Sequence, residues 1–248
     1  MWGSVMQSFE AVVFVTRQYH WLVKPLEVMV EKYLNIPLTY LSDRPIETKH
    51  KVIEAFPLDC KLYAEPVGAK VKAALSQITA PNLLFFFADF IPQEPVDMEK
   101  LNALSDFMVE NPNVARANLW NAVQEQIKSH CAESTDRLME TVGEMKIIKI
   151  ATSMGQIGST SLMPAIWSKQ FIIEFMGDDW QLDHIEVPGQ KRFEEQSKWF
   201  SIGTHPGLLQ IAHLCYTRDL KKVHLTQLKE EDRPIFRAHI PPDFSVEE

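Results

Sequence analysis

The stretch NLLFFFADFIP, residues 82–92, constrains the fold more than any other part of the chain. An unbroken apolar run from Leu83 to Ala88 leads straight into one acid, Asp89. A strand that is apolar at every position must be covered on both faces. That is the condition of a strand in the middle of a parallel sheet flanked by helices. In open sheets of this kind, ligands bind beyond the carboxyl ends of the strands. Asp89 is therefore expected at a ligand crevice. The alternative is that it only caps the turn into Ile91 and Pro92.

The segments around this strand fit the same class. AVVFVT (11–16) reads as a buried strand. In VKPLEVMVEKYL (23–34), Leu26, Met29, Val30, Tyr33 and Leu34 recur at helical spacing, with Pro25 in the first turn. IPLTYLSD (36–43) reads as a second strand, which completes a βαβ unit. AKVKAALSQI (69–78) reads as a helix. Residues 95–110 read as another, with Asp97 as N-cap and Leu101, Leu104 and Met108 inward. VARANLW (114–120) and MKIIKIAT (145–152) read as strands, and the polar segment 121–143 reads as helical. PAIWSKQFIIEFM (164–176) reads as a helix started by Pro164, and the last ten residues read as a loose tail. Strand and helix alternate, so the fold class is α/β, with a mostly parallel sheet flanked by helices in one domain over 1–248.

Composition narrows the function classes. With 25 basic and 33 acidic residues the net charge is −8, and the total shows no electrostatic footprint for nucleic acid. Cys60, Cys131 and Cys215 are far apart with no CxxC pair, which argues against a cysteine zinc site and fits a reducing cytoplasm. The start MWGSVMQSFE lacks the basic and apolar regions of a signal peptide, and no apolar run reaches the roughly 18 residues of a membrane span. There is no internal repeat and no low-complexity stretch.

Four segments in order resemble the GT-A class of glycosyltransferases, in particular a group of small bacterial and phage sugar transferases. They are VVFVTRQYHWLVKPLEVMVEKYLNIPLTYLSD, VKAALSQITAPNLLFFFADFIPQEPVDMEKL, STSLMPAIWSKQFIIEFM and DDWQLDHIEVPG. The second resembles a strand ending in a DxD-like acidic motif. The third is similar to a Ser-Leu-x-Pro-Ala-x-Trp helix start, and the fourth to a Trp-x-Phe-Glu segment. Together they span about residues 10–190. The resemblance implies a nucleotide-binding half over about 10–110, and a sugar- and acceptor-binding half with a C-terminal extension over 111–240. It also implies a nucleotide-sugar donor. The acceptor would be a polysaccharide, a lipid-linked sugar or a hydroxymethylated pyrimidine in phage DNA.

The resemblance also implies roles for residues. Asp89 would hold a divalent metal, Mn²⁺ or Mg²⁺, against the donor diphosphate. Ala88 stands where many relatives carry a second carboxylate. Thr16 and Arg17 would meet phosphate at a helix start, and Tyr19 would stack on a base. Arg17 as a surface charge and Tyr19 packed under the loop are the alternatives. Asp43 is placed to meet ribose or base, or else is a turn residue. In MGQIGSTS (154–161), Gly155 and Gly158 allow close backbone approach, and Ser159, Thr160 and Ser161 offer hydroxyls. Asp183 takes the position of the motif's terminal Glu and is the candidate base for the acceptor hydroxyl, with Asp179 and Glu186 as rivals. A histidine from the C-terminal region would return to the metal. His205 in GTHPG ranks ahead of His184, His213 and His224. Two rivals stand beside this reading: a non-catalytic nucleotide-sugar binding module, motivated by Ala88, and another nucleotide-using α/β transferase such as a nucleotidyltransferase.

Overall fold

The centre of the molecule is built by the strands whose side chains are most uniformly apolar. In a computed structural model that describes residues 8–60, 65–119, 138–150, 162, 164–215 and 221–247, β1 (Phe9–Val15) pairs in parallel with β2 (Leu38–Ser42) on one side and β4 (Asn82–Phe87) on the other. Every residue of β2 and β4 is buried, as an all-apolar central strand requires. β3 (Lys51–Glu54) extends the sheet beyond β2. On the far side follow β9 (Ala165–Ser168), β6 (Val114–Asn118), β10 (Phe200–His205), β8 (Met145–Lys149) and β7 (Leu138–Val142), giving the order β3-β2-β1-β4-β9-β6-β10-β8-β7. β3, β2, β1, β4, β6, β10 and β7 run one way, and only β9 and β8 run against them. The fold is α/β with a large, mostly parallel central sheet.

Helices cover both faces of this sheet. Val71 and Leu75 of α2 (Gly68–Leu75) and Ile172 of α4 (Lys169–Phe175) meet Phe14, Phe85 and Trp167 on one face. On the other face, Leu34 at the end of α1 (Val23–Tyr33) lies with Leu84 and Phe86. Also on that face, Asn82 donates to the Ser105 carbonyl of α3 (Met98–Glu110) at 2.9 Å. Asp97 caps α3 through the Lys100 amide, as its position before the apolar repeat predicts. Gly68 opens α2 against the 177–180 loop. A Cβ there would sit 1.9 Å from the Gly177 carbonyl oxygen, so only glycine permits this approach.

Three sequence expectations change. Residues 164–176 are not one helix: Ala165–Ser168 form β9, and α4 starts only after Ser168 caps it through the Phe171 amide. Ala165, Ile166 and Trp167 are apolar because they fill the middle of a sheet between β4 and β6. The end of the 121–143 helix is instead strand β7, folded onto β8 through Gly143 at φ 59°. Residues 120–137 lie outside the described residues. The tail is not loose either. β13 (Ser245–Glu247) pairs in parallel with β12 (Lys222–His224). Ahead of it, the buried Asp232 accepts from Tyr33 Oη at 2.9 Å and Lys32 Nζ at 2.8 Å, which docks this segment on α1.

Candidate functional site

The carboxyl ends of β1, β2 and β4 bring three of the expected residues to one edge: Thr16, Asp43 and Asp89. Beside β1 this edge opens into a cleft of about 900 Å³, lined by Thr16, Arg17, Trp21, Asp59, Cys60, Lys221, Asp243 and Phe244 among others. A 3-10 helix (Arg17–Leu22) starts directly after Thr16 and carries Arg17 and Trp21 into the cleft. Tyr19, expected to stack on a base, is buried and does not line it; Trp21 does, with its ring edge-on to Phe244 at 5.8 Å. Two polar atoms on this wall, Thr16 Oγ1 and Trp21 Nε1, are buried with no hydrogen-bond partner among the described residues. Burial, with Glu65 and Asp43 adding, pushes the Cys60 thiol up to about 11, so it stays protonated at neutral pH.

Asp43 organises the floor of the cleft. Its side chain has no exposed surface. It accepts from the amides of Arg17 (3.4 Å) and Asp59 (3.1 Å) and from the Arg44 guanidinium (3.3 and 3.4 Å). His20 Nε2 lies 3.3 Å from its other side. Burial pulls the His20 imidazole below its ordinary value, Asp43 opposes this and Arg44 adds to it. All these contacts are to protein, so Asp43 acts here on the loops around the cleft. The Arg17 and Arg44 guanidiniums converge on Asp59 Oδ1, Arg17 at 3.1 Å. Those two hydrogen bonds, Arg44 first, hold the Asp59 carboxyl below the usual range.

Asp89 is brought against a histidine, His213 on β11 (Ile211–His213). This short strand pairs antiparallel with β5 (Phe90–Pro92), immediately after Asp89. Asp89 Oδ2 lies 3.1 Å from His213 Nε2, and the imidazole stacks on Phe90 at 4.3 Å. The Leu214 amide donates to the Asp89 carbonyl at 3.0 Å, which fixes the backbone of the pair. Burial, with the Asp89 charge adding, pushes the nearby Cys215 thiol up to about 12. Among the described residues no group of three or more His, Cys, Asp or Glu side chains could hold a metal ion. The acidic strand end thus offers a two-residue donor set.

Asp183 sits on a 3-10 turn (Leu182–Ile185) whose Leu182 and Ile185 are buried. Its Oδ1 is buried without a hydrogen-bond partner among the described residues. The next acid, Glu186, accepts from the Leu162 amide at 2.6 Å. Leu162 precedes β9, whose start lies beside the carboxyl ends of β4 and β6, so this bond brings the turn to the same edge of the sheet. Arg116 on β6 is fully buried, 5.3 Å from the Trp167 ring. Burial pulls its guanidinium down to about 9 against the opposing charge of Glu186, and it remains protonated at neutral pH. Asp178, next to the rival Asp179, pairs with Lys72.

The other expected residues are scattered. His205 ends β10, with a buried Nδ1 lacking a hydrogen-bond partner among the described residues. His184 lies edge-on to Trp180, and His224 Nδ1 pairs with Glu247 at 3.0 Å. Gly155, Gly158, Ser159, Thr160 and Ser161 lie outside the described residues. The pattern of residues did not single out Trp21, Arg44, Asp59, Arg116 or Phe244. Of these only Arg116 carried a local signal, as a charge inside the apolar strand VARANLW.

No protein-family model matches the chain, and no curated protein matches it in sequence. Solved structures do resemble it. S. aureus TarS aligns at 11% identity and a TM-score of 0.43, covering 82% of this chain and 36% of that one. The bifunctional IspDF from Campylobacter jejuni aligns at 10% and 0.33, covering 77% and 48%. The apo-form glycosyltransferase GlyE of Streptococcus pneumoniae TIGR4 aligns at 12% and 0.32, covering 96% and 45%. The chain thus spans about a third of TarS and less than half of the other two. At these identities and scores the likenesses carry no functional argument, which rests on the site. Among the described residues no helix is long and apolar enough to cross a membrane.

Proposed function

We propose that the protein is a nucleotide-sugar-dependent glycosyltransferase of GT-A-like design. The observation that carries this reading is the 900 Å³ cleft at the carboxyl ends of the parallel strands, with Thr16 and Arg17 on its wall and Asp89 at the end of the adjacent strand. The cleft takes the nucleotide. Trp21 and Phe244 offer it apolar surface, and Thr16 and Arg17 offer hydrogen bonds to oxygen. Asp89, at the end of the strand next to β1, and its partner His213 would take the diphosphate end of the donor.

The Asp89–His213 pair fits a divalent ion. Asp89 Oδ2 and His213 Nε2, 3.1 Å apart and now paired with each other, would be the two protein donors to it. Phosphate oxygens and water would complete such a shell, as is usual for Mg²⁺, and the imidazole donor also suits Mn²⁺. The ion would neutralise charge on the departing diphosphate. This assignment replaces His205 with His213 as the returning histidine. In an inverting transfer the acceptor hydroxyl oxygen bonds to C1 of the sugar, the bond from C1 to the diphosphate oxygen breaks, and Asp183 takes the hydroxyl proton. A carboxylate oxygen with no hydrogen-bond partner among the described residues, on a firmly packed turn, suits that task. The acceptor is a polysaccharide or lipid-linked sugar; a hydroxymethylated pyrimidine in DNA predicts acceptor binding that falls steeply with salt.

A thermal-shift panel of nucleoside diphosphates and nucleotide sugars, with and without Mn²⁺, tests this. A ligand at ~100 times its dissociation constant adds about 2.7 kcal/mol, or roughly 5–10 °C for a chain of this size. Selective stabilisation by one nucleotide, and release of its diphosphate on adding acceptor, is the expected result. Loss of turnover in Asp183→Asn with binding retained supports the base. No shift with any nucleotide removes the reading. Ala88, with the two-residue donor set, favours a second reading, a nucleotide-sugar binding module. That module would give the shift and no turnover.

A further inference from the structure

Arg17 on the cleft wall and Arg44 beside it point at one carboxylate of the lining, Asp59, and that carboxylate is not buried. The Asp59 side chain is 51% exposed, while Arg44, which it receives together with Arg17, is 26% exposed. Asp59 has a left-handed backbone at φ 59°, which non-glycine residues adopt at a cost, Asp and Asn least of all. Its amide is held by Asp43, and among the described residues its side chain is tied through the two guanidiniums alone. Asp43 also grips Arg44 and the Arg17 amide from below. The Arg44 guanidinium and the Arg17 backbone therefore keep their place if the Asp59 side chain turns away. Thr16 Oγ1, on a residue 2% exposed, and Trp21 Nε1 border the same cleft and have no hydrogen-bond partner among the described residues.

We propose that Asp59 is an internal stand-in for an anionic group of the ligand. The Arg17–Arg44 pair is a phosphate clamp that Asp59 fills until a phosphate or diphosphate displaces it. This builds on the reading of the cleft as a nucleotide site and adds Arg44 to it. It also gives the free protein a built-in competitor. Binding is weakened by the fraction of molecules in which Asp59 holds the clamp, so removing the competitor tightens it. Guanidiniums suit the task because their planar forks match phosphate oxygens. The swing of Asp59 into solvent breaks no backbone contact.

The test is calorimetric titration of inorganic pyrophosphate and of the nucleoside diphosphates into wild type, Asp59→Asn, Asp59→Gly and Arg44→Gln. Asparagine and glycine both tolerate the left-handed backbone, so the loop is kept. Both Asp59 variants are expected to bind pyrophosphate about tenfold more tightly than wild type, and Arg44→Gln to lose most of that binding. Pyrophosphate binding that is unchanged or weaker in both Asp59 variants overturns the proposal. So does binding that survives intact in Arg44→Gln. The two readings fail separately. Tighter pyrophosphate binding with no nucleotide-sugar turnover would leave the clamp standing and remove the transferase. Turnover with no response at Asp59 would do the reverse.

Discussion

Asp43 and Asp89 look alike in the sequence, each an acid directly after a buried strand, yet the molecule uses them differently. Asp43 is enclosed by two backbone amides, a guanidinium and an imidazole. Among the described residues the carboxylate of Asp89 pairs with one side chain, the partly exposed His213. A carboxylate surrounded by donors has its lone pairs spent on holding loops. One with fewer protein donors around it keeps capacity for something that arrives from outside. The strand end selects the place; the number of protein donors around it decides between scaffold and site.

Substitution at each acid should separate the two roles. Asp43→Ala strands Arg44 and the amides of Arg17 and Asp59 at once, and should cost about 3 kcal/mol. The denaturant midpoint should fall without a change in slope. A loss under 1 kcal/mol would mean that water replaces Asp43 easily, and the contrast would collapse. Asp89→Asn should cost only about 1 kcal/mol of stability but abolish the Mn²⁺-dependent part of any nucleotide thermal shift. His213→Gln should do the same to the metal response while His205→Gln leaves it unchanged; the opposite pattern would restore His205 as the ligand.

The smallest effect concerns His20. Its pKa in the folded protein lies below the ordinary value near 6.5 because burial disfavours the cation. Its neutral form therefore supports the fold fully above that value. The contribution is lost as pH falls through the lower folded pKa, since the unfolded chain takes up the proton more readily. Replacing His20 with Gln should flatten the stability profile in that acidic window and leave it unchanged at higher pH.

The first half of the chain was legible because its strands are continuous apolar runs and its helices repeat at helical spacing. β1, β2, β4 and α3, with its Asp97 cap, follow directly from those patterns. The second half hid its strands for physical reasons. β9 is four residues long and runs straight into α4, so one apolar pattern covers two elements. β10, FSIGTH, buries Ser201 and Thr204, which breaks the apolar run. β7 is an exposed edge strand with no buried face to show an alternation. The site divides in the same way. Thr16, Arg17, Asp43 and Asp89 were visible because a strand end is a local feature. His213, Asp59 and Phe244 reach the site only through pairings between distant segments, which no local pattern records.

The wall formed by Phe244 has a consequence for the order of assembly. The cleft joins Thr16, just after the first strand of the sheet, to Phe244, beside its last paired segment. The nine-stranded sheet takes no strand from beyond β10, whereas one wall of the cleft comes from there. The cleft therefore depends on a contact between segments far apart in the chain, and such contacts close late in folding. A chain cut before Pro241 should keep its nine-stranded sheet and lose one side of its cleft. Ligand affinity is thus a sensor of whether the C-terminal segment has docked.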